Sequence, residues 1–324
     1  MKNSIIKYFI CSLFAYTLVI SCNPKLGSQQ LTKTNTAKHT KAIVKVQNFD
    51  FDKNNINKIS GPYVHKKSLD VPHDLVGQNK WFMFEGPVLE NDKIAYRYYA
   101  DERHRFDIFA KKVPDLVMDT VSWDYHNIMD WGADVLKVGN SLGIGSPGIY
   151  YKDTIYTLSD WSAKKIEVIE DGDDKSTIRT TFLDLKIEDH SFTIIQDWSI
   201  ETGNFYCDID LKVENGALPE GMHFATGIVK HLPNVTVGQV GNQLYAYTYG
   251  KQSYHNHDMG MAVMASSAYE PSEITNDLTH LYIFGNSAKG VKYRFMSQWS
   301  LGIDGPKSAM DFQTAVEKAC MTIE

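Results

Sequence analysis

Tyr125 and His126 stand side by side, eight residues before Asp134, with Lys137 close behind. Histidine titrates near neutral pH, and tyrosine can pass a proton when its pKa is lowered. Neighbours on a strand face opposite sides, so the pair reaches one ligand only from a loop. Asp124, Asn127 and Gly132 favour that loop. The alternative is a surface histidine beside a half-buried tyrosine.

Three further segments offer reactive groups. In the stretch 221–231, GMHFATGIVKH, an extended chain puts His223, Ala225, Gly227, Val229 and His231 on one face. Two imidazoles would then share a surface, or simply mark the two ends of a strand. In Glu90-Asn91-Asp92-Lys93-Ile94-Ala95-Tyr96-Arg97, Arg97 alternates with Ala95 and Lys93. It can grip a carboxylate with two hydrogen bonds, or pair on a wet face. His255 and His257 have H-x-H spacing, which on a strand aims both rings at one metal ion; the preceding 249–253 looks like a loop, which weakens that reading.

The glycines at 139, 143, 145 and 148 do not make a phosphate cradle. Such a loop needs a helix opening behind it to present free N–H groups. Here Ile149 to Tyr156 is rich in aromatic and β-branched residues and predicts a strand, so the loop is a bent connection between strands. No G-x-S-x-G elbow supports a serine triad.

The elements that must hold these groups are mostly strands. In Phe205 to Glu214 odd positions are apolar and even ones mostly polar. Lys165–Glu170, Ser176–Lys186 and the Phe192–Ile200 run precede it, separated by short turn clusters, and together predict an antiparallel meander. Further strands are expected at Ala42–Gln47, Trp81–Phe84, Lys93–Tyr99, Phe106–Lys112, Gln243–Tyr249, Gly260–Met264, His280–Phe284 and Val291–Met296. One helix near the end is expected, capped by Ser308, with Phe312, Ala315, Val316 and Ala319 on one stripe. The fold class is all-β, a large antiparallel sandwich with one C-terminal helix.

Residues 1–21 read as a lipoprotein signal. Lys2 and Lys7 precede an apolar run too short to span a bilayer, and Leu18-Val19-Ile20-Ser21-Cys22 fits cleavage and acylation at Cys22. An ordinary secretory signal is the alternative; either way the chain is exported, and with the lipid it is tied to the cell envelope. Residues 22–41 form a polar tether, and 42–324 a single domain. Cys207 lies on an apolar strand face, as a buried free thiol would. A net charge of −6 without a basic block disfavours nucleic acid. Among 18 Tyr and 6 Trp, some rings could stack on sugars, which composition cannot separate from core.

The segments ENDKIAYR at 90–97, Tyr125-His126, GADVLKVG at 132–139, GIGSPGIY at 143–150 and TGIVKH at 226–231 resemble exported bacterial proteins of polysaccharide-utilisation systems, among them the oligosaccharide dehydratases of ulvan breakdown. The resemblance covers roughly residues 80 to 320. Ser146-Pro147 stand where another glycine is expected, a departure that would reshape the loop and alter substrate choice. The resemblance implies a galactose-mutarotase-like sandwich and removal of water from the non-reducing-end uronic acid of an anionic oligosaccharide, leaving a 4,5-unsaturated residue. Arg97 and Lys137 would hold the carboxylate, with Asp134 and Lys230 in the same substrate-binding set. Tyr125 and His126 would be the acid–base pair, with His223 and His231 on the opposite wall. No cofactor is required, although a divalent metal could neutralise the carboxylate in place of a cation. The competing readings are a polysaccharide lyase, a non-catalytic sugar-binding lipoprotein and an aldose epimerase.

Overall fold

The alternation along Tyr206–Val213 becomes burial directly. Cys207, Ile209, Leu211 and Val213 are buried, while Asp208, Asp210 and Lys212 lie on the wetter face. This strand sits inside a nine-stranded sheet whose middle follows chain order: Ala163–Asp171, Lys175–Ile187, His190–Glu201 and Tyr206–Val213 pair as consecutive antiparallel hairpins. The turn clusters at 172–174, 188–189 and 202–204 close them. The sheet continues through Gly290–Trp299, Asp258–Ser266 and Gln243–Lys251. The computed structural model describes residues 38–323.

Two five-stranded sheets cover the inner face of the large one. The first runs in the order Thr40–Ile43, Val88–Asn91, Ile94–Tyr98, Phe106–Lys111, Gly132–Asp134. The second contains Gly148–Tyr151, His223–Val229 and Thr279–Phe284. Every strand pairing among the described residues is antiparallel, apart from one isolated parallel bridge between Phe106 and Gly143. The core between the layers joins Tyr96, Tyr98, Phe106 and Ile108 of the first small sheet to Phe182, Ile194 and Trp198 of the large one, with Phe224, Ile228 and Phe284 from the second. Burying each such side chain contributes about 1.5–3 kcal/mol. The mostly-β sandwich expected from the sequence is the observed class. The helix Ala309–Cys320 is also where expected: Ser308 caps it by accepting from the Asp311 N–H at 3.1 Å, and Phe312, Val316 and Ala319 are buried against the outer side of the large sheet. Cys207 and Cys320 are both free and buried.

One expected strand is absent. Trp81–Phe84 is no strand: Phe82 makes a single bridge to Val46, and the chain then turns through Met83–Glu85. Phe84 and Glu85 have φ of 59° and 63°, which no strand accommodates. The glycine-rich stretch is a bent connection between strands, as expected, but a buried one. Residues 141–149 are all buried and thread between the two small sheets. Gly145 has φ of 66°, and a Cβ there would come within 2.2 Å of the Phe295 ring. Ser146 is fully buried, its hydroxyl accepting from the Phe106 N–H at 2.6 Å. It therefore stitches strands together, and it is not among the residues that line the clefts described below.

Candidate active site

The first small sheet is covered on both faces, and its second face carries the chemistry. Ile94, Tyr96 and Tyr98 point into the sandwich core, so Ala95 and Arg97 point the other way. On the neighbouring strand, Phe106 and Ile108 face the core while Asp107 and Phe109 face outward. Register places Asp107 directly opposite Arg97, and Asp134 enters from the next strand, opposite Phe109. Phe84, Met118, Val121 and Tyr125 pack against Phe109 and roof this face.

Arg97 is fully buried beneath that roof. One terminal nitrogen donates to Asp107 Oδ2 at 2.5 Å, Asp134 Oδ2 at 2.9 Å and the Tyr99 hydroxyl at 2.6 Å. The other donates to the Tyr125 hydroxyl at 3.1 Å and to the Phe84 carbonyl at 3.2 Å. The left-handed backbone at Phe84 belongs to the same short turn, so local strain sits beside the site.

Two carboxylates share one guanidinium here, and a dry site disfavours the surplus negative charge. Burial, reinforced by Asp107, pushes the Asp134 carboxyl well above the usual carboxylate range. Burial also pushes the Tyr125 phenol up to about 12, against the pull of Arg97. His126 Nδ1 lies 3.4 Å from Asp134 Oδ2, and its side chain is 56% exposed. Partial burial, then the nearby Arg97 charge, lower its pKa and favour the neutral imidazole. A neutral histidine backed by a buried carboxyl is a competent general base.

His126 opens into a cleft of about 420 Å³ whose rim carries the cations Arg105 and Lys137 together with the exposed acid Glu102. Arg105 donates to the Gly139 carbonyl at 2.6 Å, and Lys137 is exposed. Among the described residues neither has a carboxylate within ion-pair reach. Arg103, by contrast, is spent on Asp101 and Glu85. A larger hollow of about 610 Å³ lies over the outer face of the nine-stranded sheet. Its charges are matched in pairs, Arg294 with Asp208, Arg179 with Asp197, Lys175 with Glu201 and Lys292 with Asp210. Nothing there is poised to move a proton, so the smaller cleft is the better candidate.

The structure brings Tyr125, His126, Asp134, Arg97 and Lys137 together, but in altered parts. Tyr125 is 2% exposed and turned toward Arg97, so its hydroxyl is part of the floor. Arg97 cannot clamp a ligand carboxylate, because Asp107 and Asp134 already hold it. His231 sits behind the rim, its Nε2 2.7 Å from the Lys137 carbonyl oxygen, and burial lowers its pKa. His223 does not join it: it opens the strand His223–Val229, beside Tyr150 in the second small sheet, and that strand runs roughly 20 Å before the chain turns at Lys230 into His231. Lys230 donates to the Asn276 carbonyl at 3.1 Å, outside the cleft lining. His255 and His257 do not converge, and among the described residues no group of three or more His, Cys, Asp or Glu side chains is placed to hold a metal ion. Cys22 lies outside the described residues.

Sequence reasoning missed Tyr99, Asp107, Arg105 and Tyr254. Asp107 was within reach. If Arg97 lies on a hairpin closed near residue 102, its cross-strand partner falls at 107, and an acid opposite a buried arginine is the natural pairing.

A family model described as a domain of unknown function, DUF4861, matches residues 24–324, and the chain belongs to that family. No curated protein matches it. Among solved structures, it is similar to a putative aldose 1-epimerase from Klebsiella pneumoniae subsp. pneumoniae MGH 78578, at 8% identity and a TM-score of 0.40, over 73% of this chain and 83% of that one. It is also similar to a putative kojibiose phosphorylase from the human microbiome, at 10% identity and a TM-score of 0.38, over 72% of this chain and 32% of that one. At such scores neither likeness carries an argument about fold or chemistry.

Proposed function

We propose that this DUF4861 protein is an oligosaccharide dehydratase that removes water from a terminal uronic acid and leaves a 4,5-unsaturated residue. One observation carries the reading: a half-exposed His126 backed by buried Asp134 opens under a rim bearing Arg105 and Lys137. The resemblance of its segments to ulvan-type dehydratases suggests the substrate class.

The uronate C5 proton is weakly acidic because the adjacent carboxylate is already charged. Arg105 and Lys137 would hold that carboxylate and offset the charge that builds as C5 loses its proton. Neutral His126 takes the proton. The C5–H electron pair becomes the C4–C5 double bond as the C4–O bond breaks. The departing hydroxyl needs a proton to leave as water. With the Tyr125 hydroxyl committed to the floor, the newly protonated His126 is the group able to return it, on the same face of the ring.

The test is direct. Purified protein is incubated with uronate-ended oligosaccharides from ulvan, alginate, pectin and glycosaminoglycans, and the ultraviolet absorbance of the conjugated product is followed. Mass spectrometry then separates loss of one water from chain cleavage, which would instead make the protein a lyase. His126→Ala turning over at the wild-type rate would remove the assignment. Export and lipid attachment belong to the same proposal and rest on the Leu18–Cys22 sequence. Labelled fatty acid should enter the wild type and not Cys22→Ser.

A further inference from the structure

The turn between Gln243–Lys251 and Asp258–Ser266 carries the two imidazoles with H-x-H spacing. Instead of meeting at a metal, both pack near Trp299, with ring centroids 6.5 and 6.0 Å away. The turn is internally braced. The Gln252 amide donates to the Met259 carbonyl at 2.6 Å and accepts from the Thr248 hydroxyl at 3.0 Å. Ser253 Oγ accepts from the His257 N–H at 2.8 Å, and Asn256 takes the left-handed conformation that closes the loop.

From this support two contacts reach the cleft. The Tyr254 N–H donates to the Val135 carbonyl at 2.7 Å. His255 Nε2 lies 2.7 Å from the His126 carbonyl oxygen, and since a carbonyl only accepts, Nε2 is the donor. The Tyr254 ring is thereby held at the cleft mouth, 5.9 Å from the His126 ring and tilted 33° to it, with 53% of the residue exposed.

A large ring left half in water on a braced turn is what a binding platform needs: apolar surface whose ordering cost is already met. Tyr99, the other tyrosine in this cleft, already stacks against two guanidinium groups, Arg97 at 4.3 Å and Arg103 at 3.6 Å. Among the described residues Tyr254 meets no cation; its ring contacts are with His126 and, edge-on at 5.1 Å, with its neighbour His255, and they leave 53% of the residue exposed. The C–H bonds on one face of a pyranose carry slight positive charge and complement the negative face of an aromatic ring.

We propose that Tyr254 is the stacking platform for the sugar ring presented to His126, and that His255 is a positioning residue that fixes the His126 backbone relative to that platform. The inference rests on the dehydratase reading for the identity of the sugar, and on geometry alone for the platform.

The experiment uses the full protein and the uronate-ended oligosaccharide that the wild type handles best in the screen above. Turnover and calorimetric affinity are measured for Tyr254→Phe, Tyr254→Ala, His255→Ala and His255→Gln. Tyr254→Phe should keep KM within about twofold, and Tyr254→Ala should raise it about tenfold with kcat little changed. His255→Ala should lower kcat, leave KM nearly unchanged and move the acid limb of the pH–rate profile, with part of the loss recovered in His255→Gln, whose amide can still donate. Wild-type KM and affinity in Tyr254→Ala would overturn the platform. So would equal losses in Tyr254→Phe and Tyr254→Ala, which would assign the effect to the hydroxyl. A wild-type pH profile and kcat in His255→Ala would overturn its positioning role. If the wild type binds the sugar without turning it over, the dehydratase reading falls while the Tyr254 affinities still decide the platform, and His126 side-chain titration by NMR in His255→Ala decides the positioning role. If no oligosaccharide binds, both fall.

Discussion

Oδ2 of Asp134 faces two groups at once: it accepts from Arg97 at 2.9 Å and lies 3.4 Å from Nδ1 of His126. The buried ion cluster and the exposed imidazole therefore meet at one atom. What the floor does to the charge of Asp134 is felt by the base above it.

Asp134→Asn separates those two effects. The wild-type carboxyl has a raised pKa, so its stabilising contribution is present below the ordinary carboxylate range and is lost as pH rises toward the folded value. A neutral amide escapes that loss while its oxygen can still accept from Arg97. The variant should unfold at a temperature no lower than the wild type at neutral pH, and the difference should move in its favour as pH rises. Activity should fall about 10²-fold, because the amide no longer holds a proton with the imidazole. Thermal unfolding across pH and a kcat measurement check the two halves.

The lowered pKa of His126 fixes the acid side of the rate profile. Burial and Arg97 both disfavour the imidazolium, so the base is neutral to a pH below the ordinary histidine value of about 6.5. kcat/KM should rise with pH through a midpoint below that value and be flat by neutrality. An acid-limb midpoint above it would show that another group is the base.

Removing Arg97 should injure folding before chemistry. Arg97→Ala leaves Asp107 and Asp134 buried without their cation, a loss of about 3–5 kcal/mol. The unpaired carboxyls would then hold their protons more tightly, so the deficit should shrink as pH falls. Urea unfolding at neutral and mildly acidic pH gives both numbers.

Arg105→Met and Lys137→Met should do the reverse. Neither side chain has an acidic partner among the described residues, so stability should change by less than about 0.5 kcal/mol for Lys137→Met and fall by about 0.5–1.5 kcal/mol for Arg105→Met, which also loses the bond to the Gly139 carbonyl. KM for a uronate-ended oligosaccharide should rise about tenfold or more for each, and the wild-type KM should rise with salt. Binding of an analogue whose terminal carboxyl is reduced to the alcohol should not distinguish the variants from the wild type.

Much of this site was legible where local pattern decides geometry. Strand alternation puts Arg97 on the face opposite Tyr96, and the loop residues around Tyr125-His126 let the pair leave the strand plane. What failed was the assignment of exposure. In FDIFAK the acid reads as one wet-face residue among apolar ones, yet both faces of this strand are covered. That cover comes from residues 117–131 and the turn at Phe84, whose left-handed backbone carries no glycine to announce it. The same roof turns Arg97 from ligand clamp into buried counter-ion. His223 and His231 show the complementary error: a shared face requires an unbroken strand, and this one ends at Val229, where the chain turns before His231.

The bond from His255 to the His126 carbonyl spans 129 residues of sequence. Through it, the cleft is finished by a turn of the nine-stranded sheet, while its floor belongs to the first small sheet. A chain arrested with one sheet formed would have the charged floor without its far wall. Under the proposed function, activity would then require both sheets to be in place, so specific activity in a preparation would count completely assembled molecules, and a nick in the 252–257 turn would abolish it while leaving most of the β-structure intact.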